Sequence, residues 1–497
     1  MAQIKFLQIN PADNVAVALE TLPAGTGIEL SGTGIVLKNE IARGHKFALK
    51  AIAKDENVVK YGFPIGHATC DIQAGEHVHI QNIKTNLSGV ENYDYKPELP
   101  EVRTSVENIT FDGFERSNGE VGIRNELWIV PTVGCVNKTA ENLARQFERE
   151  LSSPNVDGVY AFPHPYGCSQ LGDDHLNTQK MLSGLVKHPN AGGVLVVALG
   201  CENNTMESFR KILGDIDENR VKFMVVQNVA DEMIEGLKLL KELEEYAGRS
   251  IRQPLPVSKL RIGLKCGASD GFSGITANPL VGTLSDILIE HGGTSVLTEV
   301  PEMFGAETLF MARCKNREIF DKCVSMVNGF KDYFIRYDQV VYENPSPGNK
   351  KGGISTLEEK SLGCTQKGGG SVVVDVLEYG DVLSNPGLNL LTGPGNDMVA
   401  VTALTAAGAH IILFTTGVGT PLGAPVPTMK IATNSELANF KSNWIDFNAG
   451  TLVEGEKMAD CASRFFEKVL QVASGEKLQN ELNGYREIAL FKDGVTL

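Results

Sequence analysis

The chain has 497 residues, about three times the ~150 of a typical domain, so several domains are expected. With 42% hydrophobic and 22% charged residues it has a globular balance, which excludes wholesale disorder. A net charge of −15 argues against nucleic acid or an anionic membrane as a partner, while a small anion held by a few local cations stays compatible. No stretch approaches the ~20 apolar residues of a membrane span. Met1 to Asn10 has no apolar core, so no export signal is expected there. Nine cysteines without a scaffold-like pattern then suggest free thiols in a reducing cytoplasm.

The first ~90 residues read as a small β-rich domain. Ile28–Leu30 and Ile35–Leu37 flank Ser31-Gly32-Thr33-Gly34, a hairpin signal. Lys46–Ile52, Val58–Tyr61 and His77–Ile83 are further strand-like runs, punctuated by glycines. Residues 91–107, polar and proline-bearing, read as a linker. An α/β domain over 108–250 follows. Leu127–Val133, Gly158–Phe162, Gly193–Leu199 and Val221–Val226 are continuous apolar runs, as parallel strands covered on both faces should be. Helices are expected after Asn137, taken as an N-cap, and around Met233–Leu243. Arg252–Lys259, with Pro254 and Pro256, reads as a second linker into a C-terminal α/β domain over 258–497. That domain has strand candidates at Leu260–Leu264, Ser371–Leu377 and His410–Phe414. Glycine-rich loops are expected at Glu343–Gly353, Gly363–Gly370 and Thr392–Asn396.

Three cysteines give the sharpest chemical signal. Cys135, Cys168 and Cys201 each follow a strand candidate and precede a helical pattern, at intervals of 33 residues, close to one βαβ unit. Ligands of open α/β sheets bind at the carboxyl ends of strands, so the three thiols are expected to converge as metal ligands. Histidines are the second signal. His77 and His79 share a strand face, and His45 sits in Gly44-His45-Lys46; imidazole serves as acid, base or ligand at neutral pH. Asp173-Asp174-His175 could move protons or equally form an acidic helix start. Lys350, Lys351, Lys367 and Lys430, in glycine-rich surroundings, suit a carboxylate or phosphate. Gly267-Ala268-Ser269-Asp270-Gly271 matches the G-x-S-x-G elbow of hydrolases. The helix that elbow requires is not expected at once, because Gly271, Gly274 and Pro279 follow.

These segments, in order, resemble the altronate/galactarate dehydratase family over essentially the whole chain. They include Gly75-Glu76-His77-Val78-His79, Arg124-Asn125-Glu126, Pro131-Thr132-Val133-Gly134-Cys135 and Tyr166-Gly167-Cys168-Ser169-Gln170. Gly200-Cys201-Glu202-Asn203, Ser361-Leu362-Gly363-Cys364-Thr365-Gln366-Lys367 and Gly393-Pro394-Gly395-Asn396-Asp397 continue the series. The resemblance implies a SAF-like N-terminal domain, as in antifreeze proteins and sialic acid synthases, followed by parallel-sheet α/β domains. It implies dehydration of a sugar acid with Fe2+, with Mn2+ as an alternative and an iron–sulfur cluster as a further form. The matched motifs complete the site: His45, Lys46, His77, His79 and His175 for catalysis; Arg124, Asn125, Lys350, Lys367, Asn396 and Lys430 for the substrate; Cys135, Cys168 and Cys201 for the metal. Three positions depart from the family pattern: Gln81 where a third histidine is frequent, Ala268 where glycine is usual, and Val418 where arginine is usual. Galactarate, a sulfonated hydroxy acid, serine hydrolysis and a sensor without chemistry are the competing functions, and a homo-oligomer is compatible with all of them.

Overall fold

The structure is a computed structural model that describes residues 5–30 and 32–497. Its N-terminal part is β-rich. Phe6–Leu7, Val15–Ala18, Lys46–Ala48 and His77–Val78 form a four-stranded antiparallel sheet. Asn57–Lys60, Phe63–Ala68 and Ile83–Lys84 form a second sheet. The expected hairpin pairs Gly27–Leu30 with Thr33–Val36, although Ser31 of its turn lies outside the described residues. The run His77–Ile83 is not one strand: it breaks after Val78 and resumes at Ile83, because the Asn82 side chain accepts from the His79 amide and donates to the His77 carbonyl.

The second unit holds a parallel sheet in the order Val159–Ala161, Glu126–Pro131, Ala191–Ala198, Val221–Val225. Ala191–Ala198 is buried along its whole length, which is why it reads as an unbroken apolar run. Asn137 is the first residue of helix Asn137–Glu150 rather than its cap, and its side-chain NH₂ donates to the His164 carbonyl. Arg252–Lys259 is likewise not a linker. Gln253–Pro256 is an edge strand paired antiparallel with Thr110–Glu115. The two prolines alternate along it, so their missing N–H groups fall on one side of the edge, where a sheet tolerates them.

The C-terminal unit is a seven-stranded parallel sheet. Its order is Val373–Leu377, Gly387–Leu391, Thr294–Leu297, Arg261–Cys266, Ile411–Thr416, Thr428–Ala432, Phe447–Asn448. From Arg261–Cys266 the chain runs to Thr294–Leu297 on one side and later returns to Ile411–Thr416 on the other. The carboxyl ends of these two central strands therefore flank the topological switch point, where such sheets bind ligands. Residues 363–370 are not a loop: helix Leu357–Cys364 runs into a 3₁₀ turn, Thr365–Gly368. The second and third units share a core in which Trp128, Phe162 and Leu182 meet Val401, Leu404 and Phe414.

Candidate functional site

The chemistry gathers where the N-terminal domain docks on the carboxyl end of the seven-stranded sheet. The contact is made backbone to backbone. A Cβ on Gly271 would stand 2.0 Å from the Gly44 carbonyl oxygen, and one on Gly353 would stand 2.3 Å from it. Only glycine on both partner segments allows that approach, and it delivers His45 and Lys46 to the C-terminal unit.

Lys46 and Lys60, both buried, each reach a carboxylate oxygen of Glu359 at 2.7 Å. Glu359 also accepts from the Ser355 amide and hydroxyl, each at 2.7 Å. The two lysines hold its carboxyl well below the usual range against the opposing effect of burial. Burial in turn lowers Lys46 to about 8 despite the pull of Glu359. The neighbouring Glu358 accepts from the Thr85 hydroxyl and the Asn86 amide, so one short helix clamps the N-terminal domain through successive carboxylates.

His45, His77 and His79 come together with ring centroids 4.9–5.6 Å apart. Their hydrogen bonds fix the tautomers. His45 Nε2 lies 3.1 Å from the Lys351 carbonyl, which can only accept, so that nitrogen carries the proton. His45 Nδ1 must then accept from His77 Nε2 at 3.0 Å, and His77 Nδ1 from the Gln81 amide at 3.3 Å. His79 Nε2 donates to the Lys350 carbonyl at 2.9 Å. Among the described residues His79 Nδ1 makes no hydrogen bond, so it is the one imidazole nitrogen of the three whose lone pair is free. Burial lowers all three rings, His77 and His79 to about 4, helped by neighbouring rings and Lys46. They are neutral at pH 7.

Deeper in, at the end of strand Arg261–Cys266, lies a second charged cluster. Lys360 donates to Ser269 Oγ at 2.8 Å and stands 3.0 Å from Glu302 and 3.4 Å from Cys266 Sγ. Lys265 pairs with Glu299 and, at 2.9 Å, with Asp397. Lys367 lies 3.2 Å from Glu299, fully buried. Cys266, Glu302 and Cys364 are, among the described residues, the one set of three His, Cys, Asp or Glu side chains whose donor atoms all lie within 4.8 Å. The Lys360 ammonium already sits against this set, so a metal cation there would meet a like charge at contact distance. Ser269 is buried, and the next helix starts only at Ala277, as the weak elbow context leads one to expect.

Cys135, Cys168 and Cys201 are free and exposed, at the carboxyl ends of three adjacent strands. Their loops are stitched together. The Gly134 amide donates to the Tyr166 carbonyl and the Asn204 amide to the Gly167 carbonyl, both at 2.9 Å. Gly167, at φ +98°, passes so close to Thr132 that a Cβ would stand 1.9 Å from its carbonyl oxygen. The three Sγ atoms are nevertheless not all within 4.8 Å of one another. No hydrogen bond or ion pair joins this rim to the histidines among the described residues.

The remaining sequence-derived residues scatter. Arg124 binds Glu481 through two nitrogens and donates to the carbonyls of Ile123, Val472 and Glu476. Asn125 bonds Arg116, Asp157, Asn155 and Ala247. Both are buried and saturated, so they brace the fold and keep no donor for a substrate, a correction to the role assigned them from the sequence. Asn396 caps helix Asp397–Ala406. Lys430 is buried, donates to the Leu422 carbonyl, lies 5.0 Å over the Phe414 ring and is lowered by burial to about 8. His175 stands in the first turn of helix Gly172–Lys187, its Nδ1 without a partner. Lys350 contributes its carbonyl to His79. Glu299, Glu302, Glu359, Lys265 and Lys360 carry no local sequence pattern and emerge only from the structure.

Comparison with known proteins agrees with this architecture. Residues 4–86 match the altronate/galactarate dehydratase SAF domain, and 113–248 match the second domain of D-galactarate dehydratase/altronate hydrolase. Residues 257–496 match the C-terminal domain of D-galactarate/altronate dehydratase. An altronate dehydratase of Bacillus subtilis (strain 168) is 56% identical over 99% of this chain and 99% of its own. One from Escherichia coli (strain K12) is 54% identical over 99% of this chain and 100% of its own. The galactarate dehydratase (L-threo-forming) of the same strain is 32% identical over 98% and 96%. The chain belongs to the altronate/galactarate dehydratase family, with a SAF domain followed by parallel-sheet α/β units. It is accordingly an enzyme of the dehydratase, or hydro-lyase, class. Among the described residues no helix is long and apolar enough to cross a membrane.

Proposed function

We propose that the chain dehydrates D-altronate to 2-keto-3-deoxy-D-gluconate and water. The relatives named above support the substrate, and the free His79 Nδ1 at the domain junction carries the chemistry. The proton on C2 of an aldonate is only weakly acidic, so the reaction needs a base at C2, positive charge near the carboxylate, and help for the departing C3 hydroxyl. His79 Nδ1 takes the C2 proton. Its ring is held by the Lys350 carbonyl and kept neutral by burial and Lys46. The chain Gln81–His77–His45–Lys351 fixes the other two rings as donors and acceptors in one direction. Lys46, buried and engaged with Glu359 and the Gly353 carbonyl, ties the strand after His45 to the C-terminal unit and does not act on the substrate itself. The enol released by loss of water becomes the C2 ketone.

The donor chemistry at Cys135, Cys168 and Cys201 fits iron. Thiolates on a single ion, at a metal–sulfur distance of about 2.3 Å, can be no more than roughly 4.6 Å apart. The three sulfurs here are not all that close, so a single ion bound by all three is disfavoured as they stand, and thiolates are also the usual ligands of an iron–sulfur cluster. Three protein ligands leave a position open, and bound iron would supply a Lewis acid there. Manganese(II), which prefers oxygen ligands, fits this thiol set less well. The setting is the cytoplasm, where such thiols stay reduced.

The test is anaerobic incubation of the iron-loaded protein with D-altronate, galactarate and sulfolactate in separate reactions, with 2-keto acid and sulfite measured. Keto acid from D-altronate ahead of the other two supports the proposal. Turnover of galactarate or release of sulfite in its place would reassign the substrate, and no turnover of any would favour a sensor.

A further inference from the structure

The interior of the C-terminal unit contains a pair of thiols to which the mechanism proposed above gives no role. Cys266 ends strand Arg261–Cys266, Cys364 ends helix Leu357–Cys364, and their sulfurs touch at 3.3 Å although 98 residues separate them. Both are buried, at 1% and 4% exposure. A disulfide needs a sulfur separation of about 2.05 Å, so closure asks for an approach of about 1.3 Å. We propose that Cys266 and Cys364 are a modification site, a dithiol that a small hydroperoxide converts reversibly into an internal disulfide.

The surroundings divide the roles. The Cys364 thiol hydrogen-bonds Cys266 and the Lys360 ammonium stands 3.4 Å from the same sulfur, so Cys266 is held well below the usual thiol range. Burial and the same bond push Cys364 up. Cys266 is therefore the attacking thiolate and Cys364 the resolving thiol. The Cys266 thiolate attacks one peroxide oxygen, the O–O bond breaks, and protonation of the leaving oxygen gives water and a sulfenic acid at Cys266. The Cys364 sulfur, losing its proton, then attacks the Cys266 sulfur, and a second water leaves. Two thiols and one hydrogen peroxide become one disulfide and two waters. Hydrogen peroxide is scarcely larger than water, which suits a buried target. Closure takes from Lys360 the sulfur it faces and ties the helix bearing Glu359 and Lys360 to the sheet.

The test uses the full-length holoenzyme, freed of reductant under argon and treated with hydrogen peroxide. Thiols are alkylated in denaturant before proteolysis and peptide mass mapping. The expected result is a peptide pair linking Cys266 to Cys364 that rises from absent to the major form of both peptides and disappears after dithiothreitol. In Cys364→Ser it is absent, and Cys266 is recovered as sulfenic or higher acids. The wild-type map decides the matter even if that variant does not fold. Recovery of both residues fully alkylated while exposed Cys70 is oxidised, or linkage of Cys266 to any other cysteine, would overturn the proposal.

Discussion

Glu359→Gln puts the domain junction under the most direct strain. The carboxylate is buried, 2.7 Å from both Lys46 and Lys60, and takes two further hydrogen bonds from Ser355. Glutamine keeps the shape but offers one acceptor oxygen and turns an NH₂ toward one ammonium. Removing one partner of a buried ion pair costs about 3–5 kcal/mol, because the remaining charge stays desolvated. Two lysines share this carboxylate, so their losses are coupled and do not simply double. Lys46, already at about 8, offsets part of the cost by giving up its proton once Glu359 no longer holds it. The expected loss is therefore near the lower end, about 3 kcal/mol. It should appear in guanidinium unfolding as an earlier release of the N-terminal domain, with protease cutting between Lys84 and Thr110, where the chain has no regular structure. A loss below about 1 kcal/mol would show that the paired charges do not hold the domains together.

His77 and His79 have folded values near 4 against 6.5 when free, so the unfolded state takes up protons first. Their contribution to stability is complete above about pH 6.5 and is lost as the pH falls toward 4. NMR titration of the ring protons should show no midpoint between pH 6 and 8, and His77→Asn with His79→Asn should flatten the acid limb of the stability curve. Ala268 adopts φ +50°, a left-handed conformation that costs a side-chain-bearing residue roughly 1–2 kcal/mol. Ala268→Gly should raise stability by up to about 1 kcal/mol, since the glycine's greater freedom when unfolded takes back part of the gain. A lower melting temperature would refute the strain. Cys135→Ser, Cys168→Ser and Cys201→Ser should each lower anaerobic iron content, read by metal analysis and Mössbauer spectroscopy. Full occupancy in all three would remove the rim from the account.

How far the sequence could be read follows from where each residue's partners lie. Strands such as Ala191–Ala198 and Ile411–Thr416 are buried on both faces, so their apolar runs announce them. Helix Leu357–Cys364 is buried all round and carries Glu358, Glu359 and Lys360 inside, so it has no amphipathic stripe to announce it, and only its last two residues fall in the stretch read as a glycine-rich loop. Gln253–Pro256 hides behind its prolines, which only an edge strand accommodates. His45, His77 and His79 were legible because glycine flanks one and a two-residue spacing joins the others. Lys265 and Lys360 were not, since the carboxylates that give them meaning sit on other elements. Arg124 misled because an arginine in a family motif reads the same whether it holds a substrate or, as here, Glu481 and backbone carbonyls.

The most direct measurement of the central claim is the turnover of D-altronate by iron-loaded His79→Asn beside wild type, with iron content and melting temperature taken on the same samples. If His79 Nδ1 removes the C2 proton, kcat falls by roughly 10²–10⁴-fold while iron and melting temperature stay at wild-type values. Wild-type turnover in the variant would place the base elsewhere and break the account.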